Sequence, residues 1–339
     1  MNHHKREGTA VAWRRWACAL AAFASLLLAG CGDAPKPPLA VGMNAWVGYD
    51  PLVLARDRDL IDASRLKVVE LASGAEVQRS LRNGLLDAAA VTLDEAFRLR
   101  EAGMDLLVVA VLDVSAGADV VVAHPSVTSP AALRGQFVAV EDSSVGALML
   151  QRMLQLAGLT RADVKVVNME SSQHLSALRD GRVAAAVSYA PVAGPLLEAG
   201  FVAIFDSAQI PGEIVDVLVV RRDVLAQRPD DTDALLRAWD IGLTQLQADP
   251  AAAAEALARG TDLTPDDYRT VLRGLRFVPL ADSLPLLQGN PPGLAAPVQT
   301  VAQALVEMGA VRAAPDLATL LDPAPLQRVL AAQPVEGRP

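Results

Sequence analysis

The sequence predicts an α/β protein of two lobes joined by two hinge crossings, with a helical C-terminal part packed on the first lobe. Three observations carry this. Short apolar strands alternate with helices of about ten residues from 39 to 199. The segment Leu81-Arg82-Asn83-Gly84-Leu85-Leu86-Asp87-Ala88-Ala89 has an echo at an offset of 97, Leu178-Arg179-Asp180-Gly181-Arg182-Val183-Ala184-Ala185-Ala186. After a strongly β-branched strand at 214–220 the chain turns helical, and such helices must bury their apolar faces on an existing sheet.

Taken in order, 39–43 reads as a strand, and Asp50-Pro51 opens a helix with Asp as N-cap and Pro at its first position. A strand follows at 66–71, a helix at 76–83 stopped by Gly84, and a buried strand at 87–92. A helix at 94–101 ends at Gly103, before a strand at 106–111. His124-Pro125 begins a second unit. Its strand at 137–140 leads to Ser143-Ser144, which caps a helix at 145–156 with Gly158 as its stop. Then come a strand at 164–168, a helix at 174–180, a strand at 183–188 and part of a helix at 195–199. The run Ile-Val-Asp-Val-Leu-Val-Val at 214–220 returns to the first unit, and helices at 231–248, 251–259, 265–275 and 297–308 complete the chain. These readings imply parallel sheets with helices on both faces, lobe one spanning 39–123 plus 221–330 and lobe two spanning 124–220, with crossings near His124 and Val217.

The first thirty residues read as a leader. Lys5, Arg6, Arg14 and Arg15 precede an apolar run from Trp16 to Leu28, which closes on Leu28-Ala29-Gly30-Cys31. A basic region, an apolar region and small residues before a cysteine form an export signal of the bacterial lipoprotein kind, in which Cys31 takes lipid, such as palmitate, and becomes the first mature residue. Residues 31–38 form a stiff polar tether. The expected location is the periplasmic side of the envelope; Gly32-Asp33 after the cysteine fits either membrane.

Composition excludes several functions. The formal charge is −9, and removing 1–30, with four Lys/Arg and one Glu, leaves −12, which argues against nucleic-acid partners. The apolar run 106–122 is interrupted by Asp113 and Asp119, so it does not span a membrane. The two cysteines are Cys18, inside the leader, and Cys31, so no disulfide is expected. His124 and His174 have no Cys, His or acidic partner at metal-ligand spacing, and no metal or cofactor is expected. Neither histidine lies near a plausible serine nucleophile, and no phosphate-binding glycine loop is present, which argues against an enzyme.

In open parallel sheets, ligands sit beyond the carboxyl ends of the strands. That places Asn44, Trp46, Tyr49, Ser73, Gly74, Thr92, Asp94, Asp113 and Ser115 of lobe one, and Glu141, Ser143, Ser144 and Tyr189 of lobe two, at a candidate ligand site. After the leader the chain has five Trp or Tyr residues, and Trp46, Tyr49 and Tyr189 all fall in this set. Aromatics on polar loops of so aromatic-poor a chain suggest walls around a small molecule.

Several segments carry a resemblance: 44–56 (NAWVGYDPLVLAR), 87–96 (DAAAVTLDEA), 112–123 (LDVSAGADVVVA), 138–150 (VAVEDSSVGALML), 187–192 (VSYAPV) and 211–225 (PGEIVDVLVVRRDVL). In order and spacing, the chain resembles substrate-binding lipoproteins of ABC importers, in the nitrate/taurine/sulfonate-type family related to thiamine-precursor binders. The resemblance implies a type II periplasmic-binding-protein fold that closes on a solute, and a monomer serving a permease and its ATPase. Helix N-termini at Pro51 and Val145 favour an anion such as a sulfonate, nitrate or carboxylate. Yet Glu141, Asp142, Asp94, Glu95, Asp113 and Asp119 crowd the same region with no Lys or Arg in the mouth, so an amine-bearing, zwitterionic or neutral ring solute fits better on charge. A sensory or assembly lipoprotein, or an enzyme of pyrimidine synthesis on the same architecture, are the alternatives.

Overall fold

A computed structural model describes residues 36–259, 261 and 263–332. The leader and Cys31 lie outside them. Among the described residues, no helix is long and apolar enough to cross a membrane.

Two sheets organise the chain. The first runs β11-β4-β10-β3-β1-β2, from β1 (Leu39–Asn44), β2 (Leu66–Leu71), β3 (Ala88–Thr92), β4 (Leu106–Ser115), β10 (Val215–Arg221) and β11 (Leu275–Phe277). The second runs β7-β6-β8-β5-β9, from β5 (Asp119–Ala123), β6 (Phe137–Val140), β7 (Lys165–Asn168), β8 (Ala185–Tyr189) and β9 (Val202–Asp206). In both, a parallel trio is extended by an antiparallel strand: β10 beside β3, and β5 beside β8. The sheets are therefore mixed rather than parallel. Mixed sheets of this kind are common in α/β folds.

The offset of 97 is structural. It carries β1 onto β6, β2 onto β7, β3 onto β8 and β4 onto β9. The helix stop is shared as well: Gly84 and Gly181 adopt φ of 71° and 66°, a left-handed conformation that a side chain would strain. The fourth strand of each sheet breaks the simple order. β5 follows β4 in sequence yet pairs with β8 and β9, and β10 follows β9 yet pairs with β3 and β4. The crossings consequently fall at 116–118 and 207–214, and the expected positions near His124 and Val217 are corrected: each was placed one strand too late. The apolar strand 119–123 carries no mark of which sheet it joins, because either partner would bury it equally.

Helices cover the sheets. α1 (Asp50–Asp57), α2 (Gly74–Arg82) and α3 (Leu93–Glu101) belong to the first, and α4 (Val145–Leu156), α5 (His174–Arg179) and α6 (Ala193–Glu198) to the second. α7 (Arg222–Gln227) and the long α8 (Pro229–Ala248) follow β10, and α8 lies against α1. At that crossing a Cβ on Gly242 would stand 1.8 Å from the Pro51 carbonyl oxygen, so only glycine permits the approach. α9 (Pro250–Ala258), α10 (Pro265–Leu272), α11 (Leu280–Leu287), α12 (Ala295–Glu307), α13 (Leu317–Leu320) and α14 (Ala324–Ala332) complete the helical part, with α11 and α14 packed on β4. The expected helix at 265–275 ends three residues early, because 275–277 adds β11 to the sheet edge. One large apolar cluster fills the first lobe, and two smaller ones lie in the second. Leu148, Tyr189 and Ala190 of the second lobe join the first lobe's cluster, so apolar packing continues across the seam.

Candidate functional site

The carboxyl ends of β1, β3, β6 and β8 meet at that seam. β1 ends at Asn44, and a short 3₁₀ turn, Val47–Tyr49, swings Trp46 and Tyr49 inward before α1 begins. From the other lobe, Tyr189 ends β8, and its ring meets Trp46 edge-on, with centroids 6.0 Å apart and planes at 77°. Between them lies a cavity of about 20 Å³, comparable to the space one water occupies. Six expected residues line it: Asn44, Trp46, Tyr49, Thr92, Ser144 and Tyr189. Glu95, Asp119, Val145, Ile214 and Asp216 line it too, so walls come from both lobes and from the second crossing.

The remaining expected residues take other positions. Ser73 caps α2, its Oγ accepting from the Glu76 amide at 3.2 Å. Gly74 stands at the seam, where a Cβ would lie 2.7 Å from Glu95 Oε1 and 2.9 Å from Ser144 Oγ. Asp94 is buried behind Thr92, whose hydroxyl donates to it at 2.7 Å, and faces Arg98 at 3.6 Å. Ser115 bonds Ser207 at 2.8 Å, tying the first crossing to the second. Asp113 is fully buried on β4, opposite Asp216 on β10. Ser143 is exposed and offers its carbonyl to Gln78 Nε2 at 2.8 Å. Glu141 accepts from the Ala75 amide at 2.8 Å and lines a smaller adjoining cavity of about 10 Å³ with His174.

Three hydrogen bonds therefore bridge the lobes beside the cavity: Ala75 to Glu141, Gln78 to Ser143, and Ser144 Oγ to Glu95 Oε1 at 2.6 Å. Glu95 also closes a capping box on α3, accepting from the Thr92 amide at 3.1 Å. One side chain thus caps its helix and reaches across the seam.

The cavity is acidic. Glu95, Asp119 and Asp216 line it, Asp113 lies opposite Asp216, and no Lys or Arg stands among the lining residues. Burial pushes Asp113, Asp119 and Glu95 each up to about 7, with neighbouring carboxylates adding to the effect. Burial and the Asp113 charge also raise Asp216, which accepts from the Tyr49 hydroxyl at 2.5 Å. Two carboxyls facing each other on adjacent strands, away from water, hold a proton between them rather than two charges. Asp119 is 3% exposed, and its Oδ2 has no hydrogen-bond partner. His174 supplies no countercharge, because burial lowers it to about 4. Among the described residues, no group of three His, Cys, Asp or Glu is arranged to hold a metal ion.

Asp216 sits inside a strand, not after one, so the strand-end rule does not reach it. Its signal was a single charge within the apolar run 214–220. Asp119, counted among the acids that crowd the mouth, reaches the wall by opening β5 directly after the crossing.

Comparison with known proteins agrees with this architecture. The aliphatic sulphonate-binding protein SsuA of Escherichia coli superposes with a TM-score of 0.66 at 20% identity, over 84% of this chain and 96% of that one. A zinc-bound ligand-binding component of an ABC-type import system from Staphylococcus aureus gives 0.72 at 12% identity, over 87% and 99%. The desulfurization enzyme DSZB gives 0.64 at 16% identity, over 87% and 99%. At these identities the likeness is one of fold, that of the periplasmic binding proteins, and the fold hosts ligands and chemistries of different kinds. No curated protein matches the chain in sequence. The profile of the NMT1-like family matches residues 32–259, and the chain belongs to that family.

Proposed function

We propose that this protein captures a small solute between its two lobes and delivers it to the permease and ATPase of an ABC importer. The observation that carries the reading is the small cavity at the strand ends, walled from both lobes by Trp46, Thr92, Ser144 and Tyr189. A cavity of about 20 Å³ admits an organic solute only if the lobes part and then re-form around it, which is how a hinged receptor couples binding to closure. The solute-binding names among the fold relatives, SsuA and the import component, support the same role. We further propose that the leader and Cys31 anchor the protein by lipid on the periplasmic side of the membrane, as a monomer.

An enzymatic reading has less support. A serine nucleophile needs a histidine base beside it, and burial lowers His174, which lines the adjoining cavity, to about 4, too weak a base for that role.

Trp46 gives a direct test. After the leader the chain has two tryptophans, and Trp239 is fully buried in the first lobe, so a solute entering the cleft changes the emission of Trp46. The expected result is a saturable fluorescence change, with a matching rise in melting temperature, that disappears in Trp46→Phe. A change of equal size in Trp46→Phe places the solute elsewhere and refutes the reading.

A further inference from the structure

We propose that the solute is a small organic cation whose ammonium or amidinium N–H groups are received by Asp119, Asp216 and Glu95, with Trp46 and Tyr189 against its apolar body. This rests on the reading of the cavity as the solute site, and it names the solute's charge and donor chemistry.

The wall composition comes first. Three carboxyls line the cavity, a fourth, Asp113, stands opposite one of them, and the lining residues include no basic side chain. Arg98, one turn further along α3, pairs with Asp94 and is not among the lining residues. A sulfonate or nitrate placed here would meet carboxylates at close range without a countercharge. A cation supplies the countercharge that the walls lack.

Two of the helix ends that would favour an anion already carry an acidic side chain. α1 carries Asp50 in its first turn, and the α3 terminus is occupied by the Glu95 carboxylate bonded to the Thr92 amide. The α4 terminus has no acidic residue in its first turn, and there the Ser144 hydroxyl donates to Glu95, which brings that carboxyl to the helix end.

A second, independent feature points to a donor-bearing ligand. Asp119 Oδ2 is buried on the cavity wall with no hydrogen-bond partner. A buried acceptor without a donor is costly, and a bound N–H⁺ group satisfies its charge and its lone pairs together. A bare metal ion fits less well. No three-ligand cluster exists among the described residues, and the walls beside the carboxyls include the aromatic or apolar side chains of Trp46, Tyr189, Val145 and Ile214. Aromatic faces beside carboxylates are a recurring environment for organic cations. The need for N–H donors separates primary ammonium and amidinium groups from quaternary ammonium, which carries the charge without the donors.

The test is calorimetry on the full-length protein in detergent at pH 8, with four probes of one shape: benzylamine, benzamidine, benzyl alcohol and benzenesulfonate, with benzyltrimethylammonium as the donor-free cation. The expected result is that benzylamine or benzamidine binds about tenfold or more tightly than benzyl alcohol and benzyltrimethylammonium, while benzenesulfonate gives no heat. Asp119→Asn is expected to weaken the cation by about tenfold or more while retaining a cooperative melt; Asp216→Asn provides the second variant. Preferred binding of benzenesulfonate or benzyl alcohol overturns the cation assignment and leaves the receptor reading standing. Unchanged cation affinity in both variants also overturns it. Heat from none of the five probes, with no shift in melting temperature, overturns both.

Discussion

Asp119→Asn at two pH values examines the electrostatics of the cleft more sharply than any other single substitution. The Asp119 carboxyl is 3% exposed, and burial, followed by the Asp94 charge, raises it from 3.8 to about 7. A carboxyl whose native value lies above its unfolded value is bound more tightly by protons in the folded state. Its favourable effect on folding is complete below pH 3.8 and is lost as pH climbs to about 7. At 1.36 kcal/mol per pH unit, the full ionisation penalty above pH 7 is about 4 kcal/mol. Asparagine keeps the size and removes the charge, but its own buried amide lacks partners, at a cost of about 1–3 kcal/mol. The net expectation at pH 8 is a gain of about 1–3 kcal/mol, or a rise in melting temperature of roughly 2–5 °C for a chain of this length. At pH 4.5 the wild-type carboxyl is protonated in the native state, so the gain vanishes or reverses. Differential scanning calorimetry of both proteins at the two pH values reads this directly. The groups packed around Asp119, namely Asp94, Glu95, Asp113, Asp216 and Glu141, all rise in the same direction, so they reinforce rather than mask the trend. An equal difference in melting temperature at pH 4.5 and pH 8, or destabilisation at pH 8, refutes the reasoning.

Further outcomes follow from packing and from the seam. Gly242→Ala forces a methyl against the Pro51 carbonyl where α8 crosses α1, and is expected to cost about 1–3 kcal/mol; an unchanged unfolding midpoint contradicts the account of that crossing. Gln78→Ala deletes one of the three interlobe bonds beside the cavity, worth about 1 kcal/mol, and shifts the solute-free protein toward open forms. Small-angle scattering is expected to show a larger radius of gyration for the variant without solute and convergence with wild type at saturation. Identical curves without solute show that this bond does not hold the lobes together.

Much of the fold was legible because local signals agree. The repeated Arg-x-Gly stop, with Gly84 and Gly181 both at positive φ, marks the same helix-to-strand corner in each lobe, and the offset of 97 then orders four strands of each sheet. The swap of β5 and β10 was not legible. Both are short apolar runs buried on both faces, and hydrophobicity alone does not choose between two equally apolar sheets. β11 was hidden for a related reason: three residues at a sheet edge have too little periodicity to separate them from the helix before them. At the site, the loop residues Trp46, Tyr49, Thr92, Ser144 and Tyr189 converge as the strand-end rule leads one to expect. The rule looks only past strand ends, so it passed over Asp216 in mid-strand, and Glu95 one turn into its helix. Charges inside otherwise apolar elements are a complementary signal, because a buried carboxyl persists only where something answers its charge.

The most direct measurement is the identity of any small molecule that travels with the protein. The full-length protein is purified in detergent from its native cells without added solutes, then denatured, and the released small molecules are resolved by mass spectrometry in both ion modes. A closed cleft walled by carboxylates and two aromatic rings predicts about one molecule per chain of a compound bearing a primary ammonium or amidinium group, absent from Asp119→Asn purified in parallel. A stoichiometric sulfonate, nitrate or other anion, retained equally by wild type and variant, contradicts it.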